Sequence, residues 1–273
     1  MGCTFCATGT LGELGNLTSG EILEQLVHAN RLFNDDGTGA GPRRVSGTAH
    51  GVRNLVFMGM GEPLNNYDSV VGACRLLLDS QYLALRAGRV TVSTVGVVER
   101  IRQLGEDEPR VGLALSLHAP DQAKREAIMP AARGHRIDRV LDAVDAHVAL
   151  RLPLIAKGPL IMVEYILLGG CNDSDADAEA LGDLLENRFA GRLMVNLIPY
   201  NPTPDLPYDR PTEGRARAFQ AILTKRGLLC CVRVTMGSDV AGACGQLLKK
   251  KRGAVDIEDA AGGAPAARRR PAR

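Results

Sequence analysis

Apolar runs rich in β-branched residues alternate with helical patterns along most of this chain, and that beat constrains the fold more than any single motif. "VRNLVFMGMG", "RVTVSTVG", "RVGLALSLHA", "IMVEYILLGG" and "RLMVNLIPYN" read as strands, with "CVRVT" as a weaker sixth. Helical patterns lie between them in "DSVVGACRLLLDS" and "VVERIRQLG" and near residues 121–129, 137–149, 176–187 and 213–227. A further helix is expected after Thr18 or Ser19, where "TSGEILEQLVHANRLF" offers a cap residue, an early Glu and apolar positions at Ile22, Leu23, Leu26, Val27 and Leu32. The stretch "NDDGTGAGPRRVSGTAHG" reads as a polar, Gly-rich loop. Apolarity that is continuous rather than alternating predicts strands covered on both faces.

This α/β pattern suits an open doubly wound sheet or an incomplete β/α barrel. The strand ends favour the barrel. Polar or small residues gather at the C-terminal ends: Gly59, Gly61 and Glu62 after the first strand, Ser93 after the second, Ser116 and His118 after the third, Asn201 after the last strong one. In a parallel barrel those ends converge on one mouth, where one ligand can touch them all.

With 273 residues, 45% of them hydrophobic, the chain has material for a sizeable core and one or two domains. No apolar run approaches the length of a membrane span, and the first residues lack the order of a secretory signal, so an intracellular, non-membrane protein is expected. Seven scattered cysteines, an odd number, fit a reducing compartment with free thiols rather than a disulfide framework. Eight of the 33 Lys and Arg but only three of the 31 Asp and Glu fall in residues 249–273, so the body is net acidic. Nucleic-acid affinity would therefore have to come from a local patch, the tail or another part of the protein. The absence of Trp and the 4% aromatic content leave few base-stacking platforms. Residues 1–248 are expected to form the α/β unit and 249–273 a basic, disordered tail.

The chain opens with "MGCTFCATG", which sets Cys3 and Cys6 two residues apart. On spacing alone this pair is inert thiols, half of a zinc site, a redox dithiol or part of an iron-sulfur cradle. A lipid anchor at Gly2 is disfavoured, because Cys6 stands where the myristoylation pattern wants Ser or Thr. Cys74 falls on the apolar face of a helix, Cys171 follows a Gly-Gly turn, and Cys230 and Cys231, being adjacent, point to opposite faces of a strand.

"GCTFCATG", "GNLTSGEILEQL", "NLVFMGMGEPLNNYDSV", "VTVSTVGVV", "LALSLHAP", "VNLIPYNP" and "DVAGACGQL" occur in one order from Gly2 to about Leu247. Together these blocks resemble the radical-SAM adenine-C2 methyltransferases of ribosomal and transfer RNA, the RlmN/Cfr family. The resemblance implies a partial (β/α)6 radical-SAM barrel that lacks its first strand in this chain. It implies a [4Fe–4S] cluster, with Cys3 and Cys6 as the second and third ligands, and S-adenosylmethionine bound at the open iron. Phe5 would pack near the adenosyl group. Glu62 would meet the methionine ammonium, with Gly61 letting backbone come close. Ser93, Ser116, Leu117, His118 and Asn201 are the remaining cofactor contacts that the resemblance implies.

The resemblance also implies a role for Cys244. It would take a methyl group from one S-adenosylmethionine by displacement. A radical from a second molecule would then remove hydrogen from that S-methyl, and the carbon would add to adenine C2. The family pattern is Cys-x-x-x-Cys-x-x-Cys, and its first cysteine would fall two residues before Met1. The first strand, the resolving cysteine, an acidic base and an RNA-gripping domain would also lie upstream, so the chain is read as N-terminally incomplete. The implied partners are ribosomal RNA, transfer RNA and an electron donor such as a flavodoxin or ferredoxin, with the chain a monomer. The implied compartment is the cytoplasm, or an organelle should a transit segment precede Met1. A remnant that binds S-adenosylmethionine or RNA without turnover is the alternative.

Overall fold

A computed structural model describes residues 1–10, 15–34, 51–203, 206–234 and 246. Its centre is one six-stranded sheet, entirely parallel, with the strands neighbouring one another in chain order. The strands are β1 (Leu55–Phe57), β2 (Val90–Thr94), β3 (Gly112–Ser116), β4 (Ile161–Leu167), β5 (Leu193–Pro199) and β6 (Leu229–Val232). A doubly wound sheet reverses its strand order at a switch point. No reversal occurs here, so the partial-barrel expectation holds over the doubly wound one.

The helices are α1 (Ser19–Asn34), α2 (Tyr67–Leu78), α3 (Val98–Asp107), α4 (Gln122–Ile128), α5 (Ile137–Arg151), α6 (Asp175–Leu185) and α7 (Glu213–Lys225). Their starts follow local chemistry. Before α1, Glu21 accepts from the Thr18 amide at 2.8 Å and its hydroxyl at 2.9 Å, while the Thr18 hydroxyl accepts from the Glu21 amide. Ser174 and Asp177 form the same reciprocal pair at α6, and Thr212 caps α7 through the Arg215 amide at 3.1 Å. Each satisfies amides that helix geometry leaves without partners.

Register divides the sheet into two faces. Val90, Val92, Leu113, Leu115, Ile161, Val163, Val195 and Leu197 pack with the helices in the main core. The opposite, interior face carries Ser93, Ser116, Glu164, Asn196 and Cys231, the last four in one row across β3 to β6. Cys230 lies against the main core while Cys231 donates to Asn196 Oδ1 at 3.4 Å, so the two neighbours do face opposite ways. Cys74 is fully buried on α2 and Cys171 is exposed.

Two expectations need correction. β1 is only three residues long and Val56 is 40% exposed, so coverage on both faces does not extend to this edge strand. Among the described residues it pairs with β2 alone. The last strand begins at Leu229, two residues before the "CVRVT" reading, because the turn at Gly227 (φ +81°) releases the chain directly from α7 into pairing with β5. Residues 35–50 of the expected polar loop, and the expected tail 249–273, lie outside the described residues.

Candidate active site

The loop between β1 and α2 brings Glu62 inward. Gly61 takes φ +80°, a conformation that favours glycine, and Glu62 follows, buried, as the cap of a short 3-10 turn at Pro63–Asn66. Its Oε1 accepts from the Leu64 amide at 3.0 Å and its Oε2 from the Val95 amide at 2.8 Å. Burial raises the carboxyl above its ordinary range, and the two amides oppose that rise. The carboxyl thus joins the β1 loop to the end of β2.

The next link is Arg125 of α4, fully buried. Its guanidinium donates to the carbonyls of Leu117 (3.2 Å), Ser116 (3.3 Å), His135 (3.0 Å) and Val95. No carboxylate pairs with it among the described residues. Burial lowers its pKa to about 10, which keeps the charge at neutral pH.

His118 lies one step further along the rim, with φ +62°, a left-handed conformation that a non-glycine side chain seldom takes. Its Nδ1 accepts from the Ile166 amide at 3.1 Å. Burial, helped by the Arg125 charge, lowers its pKa to about 3, so the ring is neutral. At the β5 end, Asn201 is buried, and its Oδ1 accepts from Arg210 at 2.9 Å. Arg210 also donates to the Tyr200 carbonyl at 3.1 Å.

The Cys-x-x-Cys turn docks on this rim. The Thr4 amide donates to the Ile128 carbonyl at 3.0 Å, and its hydroxyl is 2.6 Å from the Tyr208 hydroxyl. Phe5 is buried against His118, and Cys3 and Cys6 pack on a second apolar cluster that includes Ile128, Met129, Ile166, Leu168 and Tyr200. Both thiols are free. Burial, with the Cys6 thiol nearby, pushes the Cys3 thiol up to about 11. Two thiols on one turn, walled by apolar groups and within the field of a buried guanidinium, suit two corners of an iron-sulfur cluster. No third ligand joins them among the described residues.

The structure thus sets Cys3, Phe5, Cys6, Gly61, Glu62, Ser93, Ser116, His118 and Asn201 around the C-terminal ends of adjacent strands, whereas Leu117, although at the same strand end, turns its side chain into the main core. Cys244 lies outside the described residues. Gln246, two residues further on, donates to the Pro202 carbonyl at 3.1 Å, beside Asn201. A groove of about 230 Å³ lined by Gly158, Arg192 and Leu229 lies at the opposite ends of the strands. Sequence reasoning missed Arg125, Glu164, Asn172 and Arg210. Glu164 alone carried a signal, as the one acid inside the apolar run "IMVEYIL".

The sheet order and the thiol-bearing rim define a radical-SAM type β/α unit. In agreement, the chain superposes on the crystal structure of a radical SAM methyltransferase from Sphaerobacter thermophilus with a TM-score of 0.78 and 38% identity, covering 90% of this chain and 66% of that one. No family model matches. The chain is 45% identical over 272 residues to a dual-specificity RNA methyltransferase RlmN from Anaeromyxobacter sp., a match covering all of this chain and 64% of that protein. It is 41% identical to a probable dual-specificity RNA methyltransferase RlmN from Deinococcus deserti, covering 93% of this chain and 68% of the relative. The chain belongs to the RlmN family of dual-specificity RNA methyltransferases. It spans 64% to 68% of the length of these two relatives.

Proposed function

We propose that this chain is the cofactor-binding β/α unit of an enzyme that methylates the C2 carbon of an adenine in ribosomal RNA, and in transfer RNA, through an S-methylated Cys244. The observation that carries this reading is the docking of the Cys3–Cys6 turn onto the same rim as Glu62, His118 and Asn201. The relatives named as dual-specificity RNA methyltransferases support the substrate class.

Cys3 and Cys6 would hold a [4Fe–4S] cluster, and the cluster would supply the electron that opens the sulfonium of S-adenosylmethionine. The Glu62 carboxyl would accept the methionine ammonium while keeping its two backbone amides. Phe5, neutral His118 and Ile166 would flank the adenosyl group and exclude water. Ser93, Ser116, Leu117 and Asn201 would complete the contacts, with Arg210 holding the Asn201 carboxamide. An adenine C2 carbon is a poor nucleophile, so a methyl carrier is needed, and the contact of Gln246 with the rim favours Cys244 for that role. RNA and a flavodoxin- or ferredoxin-type donor are the proposed partners, and a cytoplasmic monomer the proposed state.

The test is methyl transfer from labelled S-adenosylmethionine to adenine-containing ribosomal RNA by the anaerobically iron-loaded protein. Label should appear at adenine C2, and Cys244→Ala should abolish methylation of the protein itself. Among the described residues two thiols and no third ligand meet at the rim, which favours a second reading, a chain that binds S-adenosylmethionine without turning it over. Release of 5′-deoxyadenosine under reducing conditions would eliminate that second reading.

A further inference from the structure

Asn172 lies in the turn after β4, 1% exposed, and spends its whole carboxamide on backbone. Its Nδ2 donates to the His118 carbonyl at 2.8 Å and to the Ile166 carbonyl at 2.7 Å. Its Oδ1 accepts from the Leu168 amide at 2.7 Å. Tyr165, beneath it, donates its hydroxyl to the Asn172 carbonyl at 2.8 Å. One side chain thereby joins the turn after β3 to the end of β4.

The three residues it holds have a common neighbour. His118 meets the Phe5 ring edge-on, and Ile166 and Leu168 share the apolar cluster of Phe5. His118 is also the non-glycine residue at φ +62°, a conformation that persists only where the surroundings over-determine it. Asn172 fixes its carbonyl, and the Ile166 amide fixes its ring. The Ile166 carbonyl in turn goes to Asn172, so the ring and carbonyl of His118 are set through one closed set of bonds.

We propose that Asn172 is a positioning residue of the cofactor site, holding His118, Ile166 and Leu168 in the arrangement that receives the adenosyl half of S-adenosylmethionine. This rests on the proposed cofactor reading and adds a residue that touches neither ligand nor metal. Its loss would leave two buried carbonyls without donors and free the His118 turn to relax. The adenosyl half would then bind less well, while the methionine half, held at Glu62, would be unaffected.

The experiment titrates the purified chain with S-adenosylmethionine and with 5′-methylthioadenosine, which carries the adenosyl half alone. Asn172→Asp keeps the Oδ1 acceptor and removes both donors. It should weaken both ligands by the same factor, at least about tenfold. Glu62→Gln should weaken S-adenosylmethionine and leave 5′-methylthioadenosine within about twofold. Tyr165→Phe should lower the unfolding midpoint without altering either affinity, as a purely structural contact would. Asn172→Ser is the second variant should the aspartate misfold. For the unaltered chain, saturation with 5′-methylthioadenosine should shift the Asn172 side-chain amide resonances. Parent-like affinities in either folded variant, a loss confined to S-adenosylmethionine, or unmoved resonances would overturn the proposal. A parent chain that binds neither ligand would instead remove the cofactor reading beneath it, and the proposal with it.

Discussion

The ring of Phe5 meets the ring of His118 edge to face, with centroids 5.2 Å apart and planes at 84°. This contact couples the Cys3–Cys6 turn to a strand end in the middle of the sheet. Edge-to-face pairs contribute about 0.5–1.5 kcal/mol beyond burial. Phe5→Ala should therefore undock the turn locally. Alkylation of Cys3 and Cys6 should accelerate about fivefold or more, since roughly 1 kcal/mol of lost docking already changes the open population by that factor. The global unfolding midpoint should move much less. An unchanged alkylation rate would show that Thr4 and the packing of Cys3 and Cys6 hold the turn without this ring contact.

Glu62 should govern the pH dependence of cofactor affinity. Its carboxyl is raised above the ordinary 4.5 by burial. The ionised form, which the proposed ammonium contact requires, is therefore lost on acidification at a higher pH than for an exposed glutamate. Affinity for S-adenosylmethionine should fall as pH drops through that raised value, and Glu62→Gln should both weaken binding and flatten this limb. Calorimetric titrations carried from neutral pH downwards, in parallel on the parent chain and Glu62→Gln, test it.

Acid should destabilise the fold through two buried histidines. His118 is lowered to about 3 and His147, packed against Gly105 of α3, to about 4, both mainly by burial. An unfolded histidine takes its proton near pH 6.5, whereas these resist it. Their contribution is complete above that value and is lost as pH falls towards 4 for His147 and 3 for His118. Each adds a slope of up to about 1.4 kcal/mol per pH unit. Urea unfolding from pH 7 to 4 should show it, and His147→Leu should remove about half of the histidine slope.

Arg125 should be irreplaceable even by lysine. Its planar fork reaches four carbonyls from Val95, Ser116, Leu117 and His135, which a point-like ammonium does not match. Arg125→Met leaves those acceptors buried without donors, at a cost of about 3 kcal/mol or more. Arg125→Lys should recover less than half of that. Denaturant midpoints of the two variants decide the matter.

Strand and helix positions were legible because they rest on local periodicity and, for α1, on the cap at Thr18. The rim residues at strand ends were legible for the same reason, since parallel strands deliver their C-terminal ends to one side. What was not legible is what holds them. Arg125 reads in "QAKREAI" as an ordinary solvated helix residue, and Asn172 in "GGCND" as a turn residue. Their importance lies in partners brought close by the sheet, as with the Asn172 bond to the His118 carbonyl. That β1 stands at an edge follows from the first strand the resemblance leaves out; what periodicity did not show is that one face of β1 stays open at Val56, because it reports which residues are apolar and not what packs on them.

In the proposed function one ligand spans the rim from the Cys3–Cys6 turn to Glu62. Diffraction from crystals of the chain grown with S-adenosylmethionine tests it most directly. The adenosyl group should lie against Phe5 and His118, with the methionine ammonium at the Glu62 carboxylate. Ligand density at the opposite ends of the strands, or at the rim but turned away from Glu62, would contradict it.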